Sequence, residues 1–329
     1  MARVMSRDSI EKLITKNKWN PRFPKDPDNL YNPHFEPFLR VIYRYDFLRI
    51  NDVRMLLCYQ NARNVRWYLS ALKELKYIGC VQFNRSYYYF LTQQGADILH
   101  RIDSSVPKSL NRTPAGMMVL AAHNSAVTET MMSFVHNDKA PDSGLLLWRG
   151  PVECESLYPY DDGQPKIIPD ALGYYVHNGG ESSFNLELDS GKQSQMVINE
   201  KIRHYYTYFH LHGYNPDQQI IMFVTLMNQT RVQNIINTAN SYLKNTDSKM
   251  RVLVTTMKEI EQQGPYANIW RCNLTNGRQK HDLYELAVFS SRGFQPDKFL
   301  GHEVFEEGRR DLLRSVRSDM EVVNGMLVL

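Results

Sequence analysis

From His34 onward, apolar positions recur at helical spacing. Phe35, Phe38, Leu39, Ile42 and Tyr43 predict one helix, and Val53, Leu56 and Leu57 predict a second over Asn51–Leu57. Asn61 is placed to cap a third helix, whose inward stripe is Val65, Leu69, Leu72 and Leu75, with Gly79 as its stop. The period then falls from near four to two. Cys80–Phe83 and Tyr87–Leu91 read as a hairpin turning at Asn84-Arg85-Ser86, and Thr92 opens a further helix over Gln93–Ile102.

The polar stretch Ser104–Pro114, with Pro107 and Pro114, predicts a linker. Beyond it a helix is expected over Ala115–Val135, carrying His123 and Glu129. A short strand follows at Leu145–Trp148, with Glu153 and Glu155 after it. The pattern then reaches Ile168-Pro169-Asp170, where an apolar strand begins, turns at Asn178-Gly179-Gly180 and returns as Phe184–Asp189. Ser190-Gly191 breaks that strand into a helix over Gln193–Leu211. Ile220–Leu226 and Val252–Thr256 read as further strands around a helix at Val232–Leu243. Alternating helices and strands in this order predict an α/β sandwich, giving an α+β chain overall. The expected divisions are an N-terminal arm over 1–33, with a short helix at Ser9–Thr15 and prolines at 21, 24, 27 and 33, a small helical domain over 34–103, a linker over 104–114, an α/β domain over 115–295 and a helical extension over 296–329.

Composition sharpens this picture. The chain has 329 residues, 43% hydrophobic and 22% charged, enough for two domains with sizeable cores. No run approaches the roughly eighteen apolar residues of a membrane span, and the start lacks a signal-like segment, which predicts a cytoplasmic protein with no membrane partner. Cys58, Cys80, Cys154 and Cys272 stand far apart, so reduced thiols are expected in place of a disulfide framework or zinc knuckle. The net charge of +4 is unevenly spread: residues 1–110 hold 18 Lys and Arg against 10 Asp and Glu, leaving −4 on the remainder. A basic first domain suits a polyanion, and an acidic second domain suits a cation. No phosphate-binding or dinucleotide-binding glycine loop is present, which argues against ATP and NAD chemistry.

Candidate chemistry follows from the elements. Three helices, a basic-tipped hairpin and a helix form the order of a winged helix-turn-helix, and LTQQGADIL after the hairpin resembles the ending of such domains. Arg63, Asn64 and Arg66 fall on the outward side of the third helix near its start, where base edges of double-stranded DNA would be reached; Arg85 at the hairpin tip would meet phosphate. In the second domain, strand alternation places Glu187 and Asp189 on one face and Leu186 and Leu188 on the other. Asp170 on the neighbouring strand can converge with Glu187 on Mg²⁺ or Mn²⁺. The Leu188 carbonyl and Glu155, then Glu153 or Glu129, are further candidate ligands.

The P-D opening one strand and the acidic end of the next resemble the PD-(D/E)xK nuclease superfamily. More narrowly, a winged helix followed by PDA…ELD…K…Y…Y is similar to the replication-relaxation family of plasmids and other mobile elements, which includes MobC-type mobilisation relaxases. That resemblance covers about residues 35–260. It implies a winged helix joined to a restriction-endonuclease-like α/β sandwich, DNA binding, partners among replication or mobilisation proteins, and metal-dependent nicking or processing of DNA. The chain departs from the superfamily at one position: where E-x-K has its lysine, it has Asp189. Lys192 and Lys201 are the substitutes to be weighed, with Asp189 either joining the metal shell or orienting one of them. This departure supports an alternative, a non-catalytic replication initiator or transcription factor on a degenerate nuclease fold. His210-Leu211-His212 near Tyr205, Tyr206 and Tyr208 contains the string of a tyrosine relaxase, but on a helix histidines two apart diverge. The apolar spacing through Phe305, Leu312, Leu313 and Val316 is suited to packing on the body or pairing two subunits.

Overall fold

The computed structural model describes residues 35–137 apart from 58, 60, 105, 107–109 and 111–112, residues 144–177 apart from 152 and 155–166, and residues 180–285 apart from 247 and 284. The expected arm, the C-terminal helical pattern and Glu155 lie outside the described residues. The chain parts into two compact units between Ser125 and Ala126. That division falls beyond the polar linker, because Met117 and Ala121 join the apolar cluster of Phe47, Val81, Tyr88 and Phe90 in the first unit.

The first unit runs α1 (Glu36–Tyr45), β1 (Leu48–Arg49), α2 (Ile50–Leu56), α3 (Ala62–Glu74), β2 (Ile78–Phe83), β3 (Ser86–Leu91), α4 (Gln93–Ile102) and α5 (Pro114–Val119). Phe38, Leu39, Ile42 and Tyr45 form the buried stripe of α1, and Phe38 stacks on Tyr68 of α3 at 4.6 Å. Asn61 caps α3 by accepting from the Arg63 N–H at 2.8 Å, and Thr92 caps α4 through the Gly95 N–H. Asn84 and Arg85 form a two-residue hairpin turn with φ of 46° and 65°, the left-handed pair that matches strand twist. Gly79, expected as a helix stop, instead lies within β2. A Cβ there would sit 2.3 Å from the Phe90 ring, so the aromatic side chain fills the glycine's space. The two-residue β1 pairs with β3, giving a three-stranded sheet ordered β1-β3-β2.

The expected single helix over Ala115–Val135 is broken at Leu120 into α5 and α6 (Ala121–His136). Then come β4 (Gly144–Arg149), β5 (Ala171–His177), β6 (Gly180–Asp189), α7 (Gln195–Leu211), β7 (Ile220–Thr225), α8 (Gln229–Leu243), β8 (Arg251–Thr256), α9 (Met257–Gln263), β9 (Trp270–Cys272) and β10 (Lys280–His281). They form a mixed α/β fold on a seven-stranded sheet ordered β10-β9-β8-β7-β6-β5-β4. Strands β6, β7 and β8 are parallel and the rest antiparallel. The central β7 and β8 are buried throughout, which explains their near-continuous apolar sequences. Helices α7 and α8 cover one sheet face, packing Ile198, Ile202, Phe209, Ile235 and Ile236 on Ile221, Phe223, Val252 and Val254. On the opposite face Phe134 of α6 stacks on Phe184 at 5.4 Å. Among the described residues no helix is long and apolar enough to cross a membrane.

Gly173 of β5 lies opposite Phe184 of β6, and a Cβ there would fall 2.0 Å from that ring. Gly173→Ala is therefore expected to cost about 1–3 kcal/mol by overpacking. Urea unfolding checks this through a lower midpoint at an unchanged slope.

Candidate active site

The antiparallel register of β5 and β6 pairs Ala171 with Leu186, which brings Asp170, one residue before β5, beside the Leu186–Leu188 stretch. Main-chain geometry fixes the approach: Asp170 N–H donates to the Leu186 carbonyl at 2.9 Å, and Leu188 N–H donates to Asp170 Oδ2 at 2.7 Å. Alternation then turns Glu187 toward α7, where it is only 3% exposed. A carboxylate taken out of water requires charged or donating partners, and α7 supplies two. Lys201 Nζ meets Oε2, and the Tyr205 hydroxyl donates to Oε1 at 2.6 Å. Lys201 and Tyr205 are four residues apart, so one turn of helix aims both at the same strand residue. Ser194 sets the register by capping α7 through the Val197 N–H.

Burial pushes the Glu187 carboxyl above its ordinary range; the Lys201 charge opposes that shift and the Asp170 charge adds to it. Burial works against the Lys201 ammonium, but Glu187 first and then Asp170 outweigh it and hold its pKa above the usual lysine value. Lys201 thus stays a cation paired with Glu187 and feels the charge of Asp170. In kind, the donor set fits a small hard cation: Asp170, Glu187 and the Leu188 carbonyl offer only oxygens, and Mg²⁺ commonly takes one or two protein carboxylates. Among the described residues no group of three or more His, Cys, Asp or Glu gathers for a metal.

Asp189, expected beside a metal or a lysine, is engaged elsewhere. Arg231 of α8 grips it with two parallel bonds of 2.8 Å, from Nε to Oδ2 and from Nη2 to Oδ1. The Thr225 hydroxyl donates to Oδ2 at 2.8 Å, and the Gly191 N–H donates to Oδ1 at 3.1 Å. Arg231 Nη2 also donates to the Gln193 carbonyl at 2.7 Å, which ties the β6–α7 turn to α8. With this many donors on its oxygens, Asp189 is a structural anchor. Burial opposes its ionisation, but the bonds from Arg231 and Thr225 prevail and hold its pKa below the usual carboxylate range.

The other expected residues separate. Lys192 is exposed and makes no ion pair among the described residues. Glu153 pairs with Arg149 at 2.5 Å. His210 stacks along α7 on Tyr206, whereas His212 lies past the helix end against Tyr208 at 4.1 Å, so the two rings have different neighbours. In the first unit Arg63, Asn64 and Arg66 are exposed along α3, and Arg85 is exposed at the hairpin turn. From the sequence Tyr205 enters only in the tyrosine-relaxase string and not as a partner of Glu187, and Arg231 does not enter at all. Spacing was the available signal for Tyr205, four residues beyond Lys201; Arg231 lies 42 residues from Asp189 and carried none.

A family model described as replication-relaxation matches residues 39–224, which include the whole of the Asp170, Glu187, Lys201 and Tyr205 cluster. The chain belongs to the replication-relaxation family. A search of curated proteins found no match. Among solved structures, this family member is similar to restriction endonuclease FokI, with 10% identity and a TM-score of 0.23, over 69% of this chain and 42% of that one. It is also similar to FokI bound to DNA, with 9% identity and a TM-score of 0.23, over 78% and 49%. The chain therefore spans less than half of the length of these two structures.

The Asp189–Arg231 pair yields a stability test. A carboxylate whose folded pKa is depressed stabilises the fold fully above its unfolded pKa of about 4, and that contribution is lost as pH falls toward the lower folded value. Arg231→Met leaves a buried carboxylate without its main partner and should cost about 3–5 kcal/mol at neutral pH. Adding Asp189→Leu should recover much of it, and the double variant should lose this part of the acid dependence. Denaturation at pH 7 and pH 3 measures both effects.

Proposed function

We propose that the chain processes DNA during replication or mobilisation of a genetic element, binding double-stranded DNA through the first unit and nicking it at the Glu187 cluster by metal-dependent hydrolysis. The observation that carries this reading is Glu187 itself: a carboxylate buried inside an α/β layer, shared by a lysine and a tyrosine and faced by Asp170. A buried carboxylate with a half-buried carboxylate and ammonium beside it is costly for structure alone, and these are the groups phosphodiester hydrolysis needs. Asp170, Glu187 and the Leu188 carbonyl would hold Mg²⁺ or Mn²⁺, with Glu155 as the further expected ligand. The bound ion would polarise phosphoryl oxygens and ease deprotonation of water. Lys201 supplies a positive charge for the negative charge that builds on the phosphoryl group, the role expected of the superfamily lysine. Tyr205 holds Glu187 by its second oxygen.

A second reading is favoured by one specific observation. At the position of the superfamily lysine, Asp189 and Arg231 form a closed pair. A chain that kept the fold as a scaffold and only docked on DNA would tolerate that closure. Supercoiled plasmid carrying the element's own origin, incubated with Mn²⁺, separates the two. For a nuclease, nicking should fall by about 10²-fold or more in Glu187→Gln and in Lys201→Met. Lys201→Met should also bind Mn²⁺ more tightly by calorimetry, because a competing cation has left the Glu187 carboxylate. Retarded but intact plasmid with the unaltered protein selects the scaffold.

The docking half of the proposal rests on the basic excess of residues 1–110 and on the exposed side chains of α3 and the hairpin turn. Arg63→Ala or Arg66→Ala should each cost about 1–3 kcal/mol on the specific site, whereas Arg85→Ala should weaken all sequences alike and reduce the salt slope by about one. Equal and negligible losses in titrations at two salt concentrations would remove the groove assignment.

A further inference from the structure

Outside the charged cluster, the second unit carries a cavity of about 540 Å³ between α7 and α8. Its lining has no charged side chain: carboxamides of Gln195, Asn199, Asn234, Asn237 and Asn245, two hydroxyl residues, a methionine and a tyrosine. The hydrogen-bonding capacity left over can be read group by group. Thr238 and Ser241 spend their hydroxyl protons on the carbonyls of Asn234 and Asn237, so they offer only lone pairs to a ligand. Asn245 spends an N–H on the Ser241 carbonyl and keeps its oxygen. Asn237 accepts from Gln233 at 3.0 Å and keeps its amide protons. The side chains of Asn199 and Asn234 make no hydrogen bond among the described residues, and each still presents a donor and an acceptor side by side. Met196, 68% exposed, supplies a soft apolar wall. Arg203 is exposed on α7 one helical turn beyond Asn199, at one end of the cleft.

An ionic ligand is poorly served by neutral walls. A planar, uncharged group with a donor and acceptor along one edge is well served, because a carboxamide pairs with such an edge through two bonds. Building on the DNA reading above, we propose that this cleft receives an unpaired nucleobase, with Asn199 and Asn234 reading its edge, Met196 against its face, and Arg203 beside the attached phosphate. Unpaired strand is what nicking or duplex melting would create, and bases out of the stack are recognised by side-chain edges and faces of this kind.

The test uses the full chain and fluorescein-labelled short oligodeoxyadenylate, compared with an abasic strand of equal length, followed by anisotropy. Asn199→Ala and Asn234→Ala lie on half-exposed helix positions where alanine favours the helix, so folding is not at risk. The double variant should bind the base-bearing strand roughly tenfold more weakly and the abasic strand unchanged. Equal binding of both strands by the unaltered protein, or unchanged affinity in the double variant, overturns the proposal. Since nicking is not the readout, a scaffold without hydrolysis still allows the cleft to be established or rejected.

Discussion

A carboxylate placed inside a packed layer sets the terms for the second unit. Glu187 sits on β6 beneath α7, where leaving it unpartnered would cost several kcal/mol. Both its oxygens are met from a single helical turn, Lys201 on one and Tyr205 on the other. That requirement fixes how α7 lies on the sheet. Rotating or sliding the helix by one residue would withdraw both donors together, so the charged contact specifies a register that the apolar contacts of Ile198, Ile202 and Phe209 alone would hold less strictly.

The neighbouring residue on the same face repeats the arrangement with different partners. Asp189 takes its cation from α8, and Arg231 reaches on to the Gln193 carbonyl before α7. One strand therefore sends two carboxylates upward, and each is claimed by a different helix. The two pairs are not equivalent. Asp189 is surrounded by four donors, including a rigid fork, and its charge is stabilised well enough to lower its pKa. Glu187 has a flexible ammonium and a phenol, feels Asp170 opposite, and ends with a raised pKa. The Asp189 pair ties β6 to α8, whereas the Glu187 contacts tie it to α7.

This difference also explains what the sequence disclosed. Period and punctuation located nearly every long element, and the caps at Asn61 and Thr92 act where their side-chain chemistry places them. Asp170 and Glu187 were legible as a pair because both belong to one hairpin, whose register follows from alternation. Choosing between Lys192 and Lys201 needed the helix orientation, since Lys192 is closer in sequence yet stands in solvent. The role of Asp189 was hidden because its partner comes from the next crossover, and local spacing carries no information about which helix packs above a strand end. Gly79 misled for a related reason: a glycine after a helix reads as a stop, whereas here the Phe90 ring needs the space.

Helix α7 brings the separate strands of chemistry together. Lys201 and Tyr205 face the sheet, while Gln195 and Asn199 line the cleft against α8. Asn199 and Lys201 are two positions apart, about 200° around the helix, so one element turns Lys201 and Tyr205 inward and Asn199 outward, beside the exposed Glu200 and Arg203. Because the inner face is anchored by buried ionic contacts, the outer face can carry carboxamides with no packing duty. Substitutions there leave undisturbed the register that Glu187 imposes. The mechanical coupling runs the other way: losing Lys201 or Tyr205 loosens the very helix on which the cleft is built.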